Sequence, residues 1–201
     1  MLRRNVIAAA AVVMAALIGG CSASGGATAA EGDIGTGAPA GAKVTVIEYA
    51  SVTCGACAAW QAQTYAAFKA KYIDTGKVRF VFREFPTGPV EVAAAGFLTA
   101  RCAGEDKYLD VVHELMASQQ EMLGGGNPRT VLLRVANAAG LSEEQFTQCV
   151  TNPDNIAALE ARSRAAIDAG ISGTPTFLVN GVTTGRSLEE LSAAIDAELA
   201  K

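Results

Sequence analysis

Apolar residues along this 201-residue chain fall into short, nearly continuous β-prone runs and longer helical stretches. Val44 to Ser51 (VTVIEYAS) is almost continuously apolar and β-prone, as expected of a strand buried on both faces. From Cys54 to Tyr72 the pattern becomes that of an Ala-rich helix with Trp60, Tyr65, Phe68 and Tyr72 as its bulky positions. Gly76-Lys77 then turns the chain into a second strand, Val78 to Phe85 (VRFVFREF), which Pro86 stops. Strand, helix, strand of these lengths is a βαβ unit with a right-handed crossover.

The middle of the chain, from Val90 to Asp168, holds no convincing strand. Pro89 opens a helix of about fourteen residues. A second is expected from about Glu105 to Met122, ending in Gly124-Gly125-Gly126, and a third follows Pro128 and ends at Gly140. Ser142-Glu143-Glu144-Gln145 is a capping-box signature for a fourth, and Pro153 starts a fifth. Strand character returns at Thr176-Phe177-Leu178-Val179. Asn180-Gly181 is a strong hairpin signal that should pair Val182 to Thr184 back antiparallel. Ser187-Leu188-Glu189-Glu190 caps a C-terminal helix. The order βαβ, helical block, ββα implies an α/β fold with a small central sheet and an all-helical insertion.

The N-terminus reads differently. Arg3 and Arg4 precede an apolar run from Val6 to Ile18, the right length for an export signal and short for a membrane span. Ile18-Gly19-Gly20-Cys21 then resembles a bacterial lipobox, making residues 1–21 a signal peptide and Cys21 a lipidation site. The competing cleavage site, Ala27-Thr28-Ala29, lies far from the apolar run. Residues 22–42 are rich in Gly, Ala, Ser and Thr and are expected to be a flexible tether with a reach of about 25 Å, the folded part beginning near Lys43.

Half the residues are apolar, enough for a packed core, and the net charge of −4 carries no basic footprint, which argues against a nucleic-acid partner. Export changes the meaning of the five cysteines, Cys21, Cys54, Cys57, Cys102 and Cys149. If Cys21 takes a lipid, four remain, enough for two pairs.

Cys54-Gly55-Ala56-Cys57 stands where a strand gives way to a helix. Two intervening residues let both sulfurs lie on one side of the first turn, close enough to bridge. Cys54 falls at the helix N-terminus, where unpaired N–H groups and the macrodipole favour a thiolate, the attacking species in thiol–disulfide exchange. Zinc would need four ligands, whereas the chain offers no second C-x-x-C and a single histidine, His113, so no metal is expected. Gly124-Gly125-Gly126 lacks the Lys-Ser/Thr of a phosphate loop and is read as a turn, and no cofactor is expected. His113, with Asp110 and Glu114 nearby, is read as a surface residue, and Trp60 as packing on the active-site helix.

The strand–C-x-x-C–helix unit, Phe82-Arg83-Glu84-Phe85-Pro86 and Gly173-Thr174-Pro175-Thr176-Phe177 together resemble the DsbA-like thiol–disulfide oxidoreductases over about residues 43–201. The resemblance implies a thioredoxin-like fold divided into residues 43–88 and 170–201, with the helical insertion at 89–169. It implies that Cys54 is the exposed nucleophile and Cys57 the buried resolving partner. Pro175 would be the cis-proline facing them, and Thr174 would present its backbone to an extended substrate. Glu48, six residues before Cys54 in an apolar strand, resembles the buried acid beneath the pair, whose pKa burial would raise. The alternative for Glu48 is an ordinary carboxylate paired with Arg79 or Arg83. Some relatives carry a second disulfide in the helical block, where this chain has Cys102 and Cys149. Such a loop would stabilise the fold by about 4 kcal/mol. The alternative is a second redox pair, though neither cysteine stands in a C-x-x-C motif.

The implied function is formation or exchange of disulfides in unfolded exported proteins, in the periplasm or cell envelope. The protein would be a lipid-anchored monomer, with a membrane redox partner resetting the cysteine pair. The rivals are a reductase or isomerase with its cysteines kept reduced, and a binding or chaperone module whose disulfide is structural. Many relatives have Pro-His between the cysteines. Gly55-Ala56 supplies no comparable donor, which bears on oxidising strength rather than on the exchange itself.

Overall fold

The structure, a computed structural model, describes residues 29–201; Cys21, the signal and most of the expected tether lie outside them. Five strands form one mixed sheet: β1 (Gly35–Gly37), β2 (Thr45–Ala50), β3 (Arg79–Glu84), β4 (Thr176–Val179) and β5 (Val182–Thr184), in spatial order β1-β3-β2-β4-β5. β2 and β3 are parallel, as a βαβ unit requires, and β4 runs antiparallel to β2 on its other side. Asn180 takes the positive φ of 48° that the β4–β5 turn needs, and Gly181 follows at 84°.

The tether expectation is corrected at its C-terminal end. Residues 35–37 pair antiparallel with β3, Ala38 is buried, and Asp33 forms a two-pronged ion pair with Arg83 at 2.7 and 2.8 Å. The ordered chain therefore starts well before Lys43.

The helix after the C-x-x-C runs without interruption from Gly55 to Ile73, but not as a uniform α-helix. α1 (Gly55–Trp60) and α2 (Ala66–Phe68) are each followed by a five-residue π-helical stretch, Gln61–Tyr65 and Lys69–Ile73. The bulky residues explain why. Trp60 and Tyr65 are five apart, which in a regular α-helix would turn them about 140° from each other. The wider turn returns both to the buried face, and Phe68 and Ile73 repeat the spacing.

The insertion comprises α3 (Val90–Cys102), α4 (Tyr108–Ala117), α5 (Gln119–Leu123), α6 (Pro128–Ala138), α7 (Glu143–Thr151) and α8 (Pro153–Asp168), before α9 (Leu188–Ala200) closes the chain. The capping boxes at Ser142 and Ser187 form as expected. The single helix expected over 105–122 is instead two, broken at Ser118. One core unites the sheet face bearing Val46, Phe80, Phe82 and Phe177 with α1, α9 and the insertion. None of the described helices is long and apolar enough to cross a membrane.

Candidate thiol site

Cys54 is the N-cap of α1, with extended backbone (φ −85°, ψ 114°), and its sulfur accepts the Cys57 N–H at 3.2 Å. On its other side the Cys54 thiol lies 3.5 Å from the Thr174 carbonyl, and the Thr174–Pro175 peptide is cis. The structure thus brings together Cys54, Cys57, Thr174 and Pro175 from two distant stretches of sequence. Both cysteines are free thiols; Cys57 is fully buried, whereas Cys54 is half-exposed and flanked by the exposed Gly55 and Ala56.

That asymmetry sets their acidities. A hydrogen bond from the Cys57 thiol, aided by the Thr174 side chain and the backbone N–H groups of Cys57 and Ala56, outweighs partial burial and lowers the Cys54 pKa to about 5. The same thiol–thiol hydrogen bond and burial hold Cys57 far above its ordinary range. Near neutral pH, one thiolate and one thiol face each other.

Glu48 is buried in β2, opposite Phe82 in the register. Alternation along β3 puts Phe82 on the core face and both Arg79 and Arg83 on the other, so the strand pairing considered for Glu48 does not form. No ion pair reaches Glu48 among the described residues. Burial first, and then the charge on Cys54, raise its pKa to about 8.

Around the pair, hydroxyls and amides fix the loop that delivers Cys54. Ser51 Oγ accepts the N–H groups of Thr53 and Thr87, and Thr53 Oγ1 donates to the Thr87 carbonyl at 2.9 Å. From the insertion, Gln119 donates to the carbonyls of Val52 and Cys54. Trp60 packs in the core against Phe177, its Nε1 donating to the Arg186 carbonyl, as its packing role requires.

Three further outcomes concern residues away from the sulfurs. Cys102 and Cys149 are joined in a disulfide between α3 and α7, with Cα atoms 6.3 Å apart. His113 is corrected: its ring packs edge-on against buried Tyr65 at 4.3 Å, and burial depresses its pKa to about 4. The sequence reading also missed a buried ion cluster. Glu84, at the end of β3, accepts from Arg101 of α3 and Arg162 of α8, tying the insertion to the sheet. Two clefts of about 960 and 600 Å³ run along residues 29–33, and neither is lined by Cys54 or Cys57.

Comparison with known proteins agrees with this geometry. A thioredoxin family profile matches residues 29–197. The crystal structure of Wolbachia pipientis alpha-DsbA1 superposes with a TM-score of 0.77, at 26% identity, over 86% of this chain and 93% of that one. The chain belongs to the DsbA-like family of thioredoxin-fold proteins. A putative protein-disulfide oxidoreductase of Rickettsia conorii is 36% identical over 78% of this chain. A probable disulfide bond formation protein D of Bacillus anthracis is 26% identical over 80% of this chain and 76% of its own length. The chain spans 57% of the Rickettsia conorii protein and 58% of its Rickettsia typhi counterpart. Within this DsbA-like family, the fold is the divided thioredoxin-like α/β sheet carrying a helical insertion.

Proposed function

We propose that this DsbA-like protein is a thiol–disulfide oxidoreductase that forms or exchanges disulfides in exported polypeptides through Cys54 and Cys57. The observation that carries the reading is the polarised pair: a half-exposed sulfur held by the Cys57 N–H, beside the Thr174 carbonyl, above a fully buried partner. In the oxidised protein a substrate thiolate attacks Cys54 Sγ. A mixed disulfide forms, the Cys54–Cys57 bond breaks, and Cys57 leaves as a thiolate. Glu48, protonated near neutral pH, supplies the proton that Cys57 takes up. A second substrate thiolate then attacks the substrate sulfur of the mixed disulfide, and Cys54 departs as a stable thiolate. Two substrate thiols have become a disulfide, and the protein pair is reduced by two electrons. The Thr174 backbone, just before the start of β4, receives the substrate as an added strand. The Cys102–Cys149 bridge, away from the thiol rim, is structural.

Export and anchoring rest on Arg3, Arg4, the apolar run and the lipobox-like Ile18-Gly19-Gly20-Cys21, which put the working domain on a lipid anchor outside the cytoplasm. A membrane partner reoxidises the pair there, and the protein works as a monomer. Cys21→Ala should release the protein from membranes with exchange intact. The central test is alkylation of the reduced protein at pH 6 together with its redox equilibrium in glutathione buffers. Cys54 should be labelled well before Cys57, and a reversible two-electron couple should appear. Preferential labelling of Cys57, or the absence of any such couple, would overturn the assignment.

A further inference from the structure

The break at Ser118 has a geometric result at the thiols. Ser118 leaves helical geometry (φ −85°, ψ 6°), ending α4 and starting α5, and Gln119 emerges from that corner against the loop that carries Cys54. Its Nε2 lies 2.8 Å from the Val52 carbonyl and 3.1 Å from the Cys54 carbonyl. Two acceptors can be met only by the amide NH₂, so the side-chain oxygen turns the other way, towards Gly55, where a Cβ would lie 3.9 Å from it. Among the described residues, Gln119 is the one side chain of the insertion hydrogen-bonded to the segment 52–57.

We propose, resting on the reading of Cys54 as the nucleophile, that Gln119 is a positioning residue through which the helical insertion helps set the redox equilibrium of the cysteine pair. The thiolate depends on the Cys57 N–H pointing at the Cys54 sulfur. That direction is set by the first turn of α1, and the turn has little to hold it from within. Gly55 is conformationally permissive and Ala56 offers no hydrogen-bonding side chain. The Cys54 carbonyl already accepts from Cys57 and Ala58 in the ordinary way of a helix start. Gln119 adds a third bond there and a first one to the Val52 carbonyl, beyond the end of β2, at a residue with no exposed surface. By gripping both carbonyls it fixes the Val52–Thr53 and Cys54–Gly55 peptides, on either side of the Thr53–Cys54 link, and with them the aim of the sulfur. A free buried carbonyl would draw the loop towards another arrangement.

The test compares the full chain with Gln119→Met, which keeps the length and loses both donors, and Gln119→Ala, either folded variant sufficing. Cys54 ionisation is followed by thiolate absorbance, the redox equilibrium by glutathione titration, and stability by thermal unfolding. Each variant should raise the apparent Cys54 pKa. It should also shift the glutathione equilibrium about tenfold towards the protein disulfide, a fall of about 30 mV in potential. A redox equilibrium within twofold of wild type, whether or not the melting temperature falls, would mean a merely structural contact and overturn the proposal. A wild-type chain with no thiol exchange would instead bring down the oxidoreductase reading and this inference with it, so the two failures are distinguishable.

Discussion

Replacing Glu48 by Gln should stabilise the protein, by an amount that grows with pH. In the unfolded chain this carboxyl ionises near 4.5; in the folded chain burial and the Cys54 charge delay ionisation to about 8. A folded-state pKa raised in this way gives stability that is intact below pH 4.5 and lost as the pH climbs through 8, because the unfolded state sheds the proton first. At 1.36 kcal/mol per unit, the accumulated penalty is about 1 kcal/mol at pH 5 and about 3 kcal/mol at pH 7. It approaches 5 kcal/mol above pH 9. A neutral amide of the same shape carries its own burial cost, but that cost does not vary with pH. The diagnostic quantity is therefore the slope: urea unfolding should give the Glu48→Gln variant an advantage that widens by about 2 kcal/mol between pH 5 and pH 7. In the oxidised protein Cys54 carries no charge, so the advantage should be smaller there. An offset that stays constant from pH 5 to pH 8 would refute the buried, neutral carboxyl. In exchange assays the same variant should be slowed at least tenfold near neutral pH, at the step that needs a proton at Cys57.

The other expected outcomes concern different parts of the molecule. Opening the Cys102–Cys149 loop by double substitution to Ala should cost about 4 kcal/mol of stability, seen in thermal unfolding, while insulin reduction by the remaining pair continues. Glu84→Gln should destabilise the fold by about 3 kcal/mol in urea titrations, because Arg101 and Arg162 lose their shared counter-charge. The Cys54 ionisation should stay where it is. Gly55→Pro with Ala56→His should lower the Cys54 pKa below about 5 and raise the potential by tens of millivolts in glutathione buffers, about 30 mV for each tenfold change.

Most of the scaffold was legible in the sequence because its signals are local. Proline starts, capping boxes and the Asn180-Gly181 turn act within a few residues, and each forms where it was expected. β1 was not legible: Gly35-Thr36-Gly37 has no apolar alternation, and its extended shape comes from pairing with β3 and from the Asp33–Arg83 ion pair across fifty positions. His113 looked solvated beside Asp110 and Glu114, yet its neighbour in space is Tyr65, from another helix. Glu84 stood in a recognised motif, but its two arginines lie 17 and 78 residues downstream. At the thiol site the asymmetry was legible and its support was not. Cys54 at a helix start announces a thiolate, whereas Gln119 was hidden inside what reads as an unbroken helix.

That hidden support bears on the direction of exchange. With Gly-Ala between the cysteines, no side chain there can hold the thiolate, yet the Cys57 thiol, the Thr174 side chain and two backbone N–H groups still bring Cys54 to about 5. This lies between about 3.5, found for the strongest oxidant of this kind, and about 7 for thioredoxin. The potential expected in glutathione titrations therefore falls between about −270 and −120 mV, the values for thioredoxin and DsbA. A low pKa also makes Cys54 the better leaving group of the protein's two sulfurs. When a substrate bearing a second thiolate holds Cys54 in a mixed disulfide, attack on the substrate sulfur expels a stable anion. Attack by Cys57 on Cys54 Sγ is the competing exit, and full burial of Cys57 disfavours the thiolate it needs. On the proposed exchange, resolution by a second substrate thiolate is therefore the exit that a low Cys54 pKa assists, and a Gly55→Pro, Ala56→His change that lowers this pKa further should assist it more.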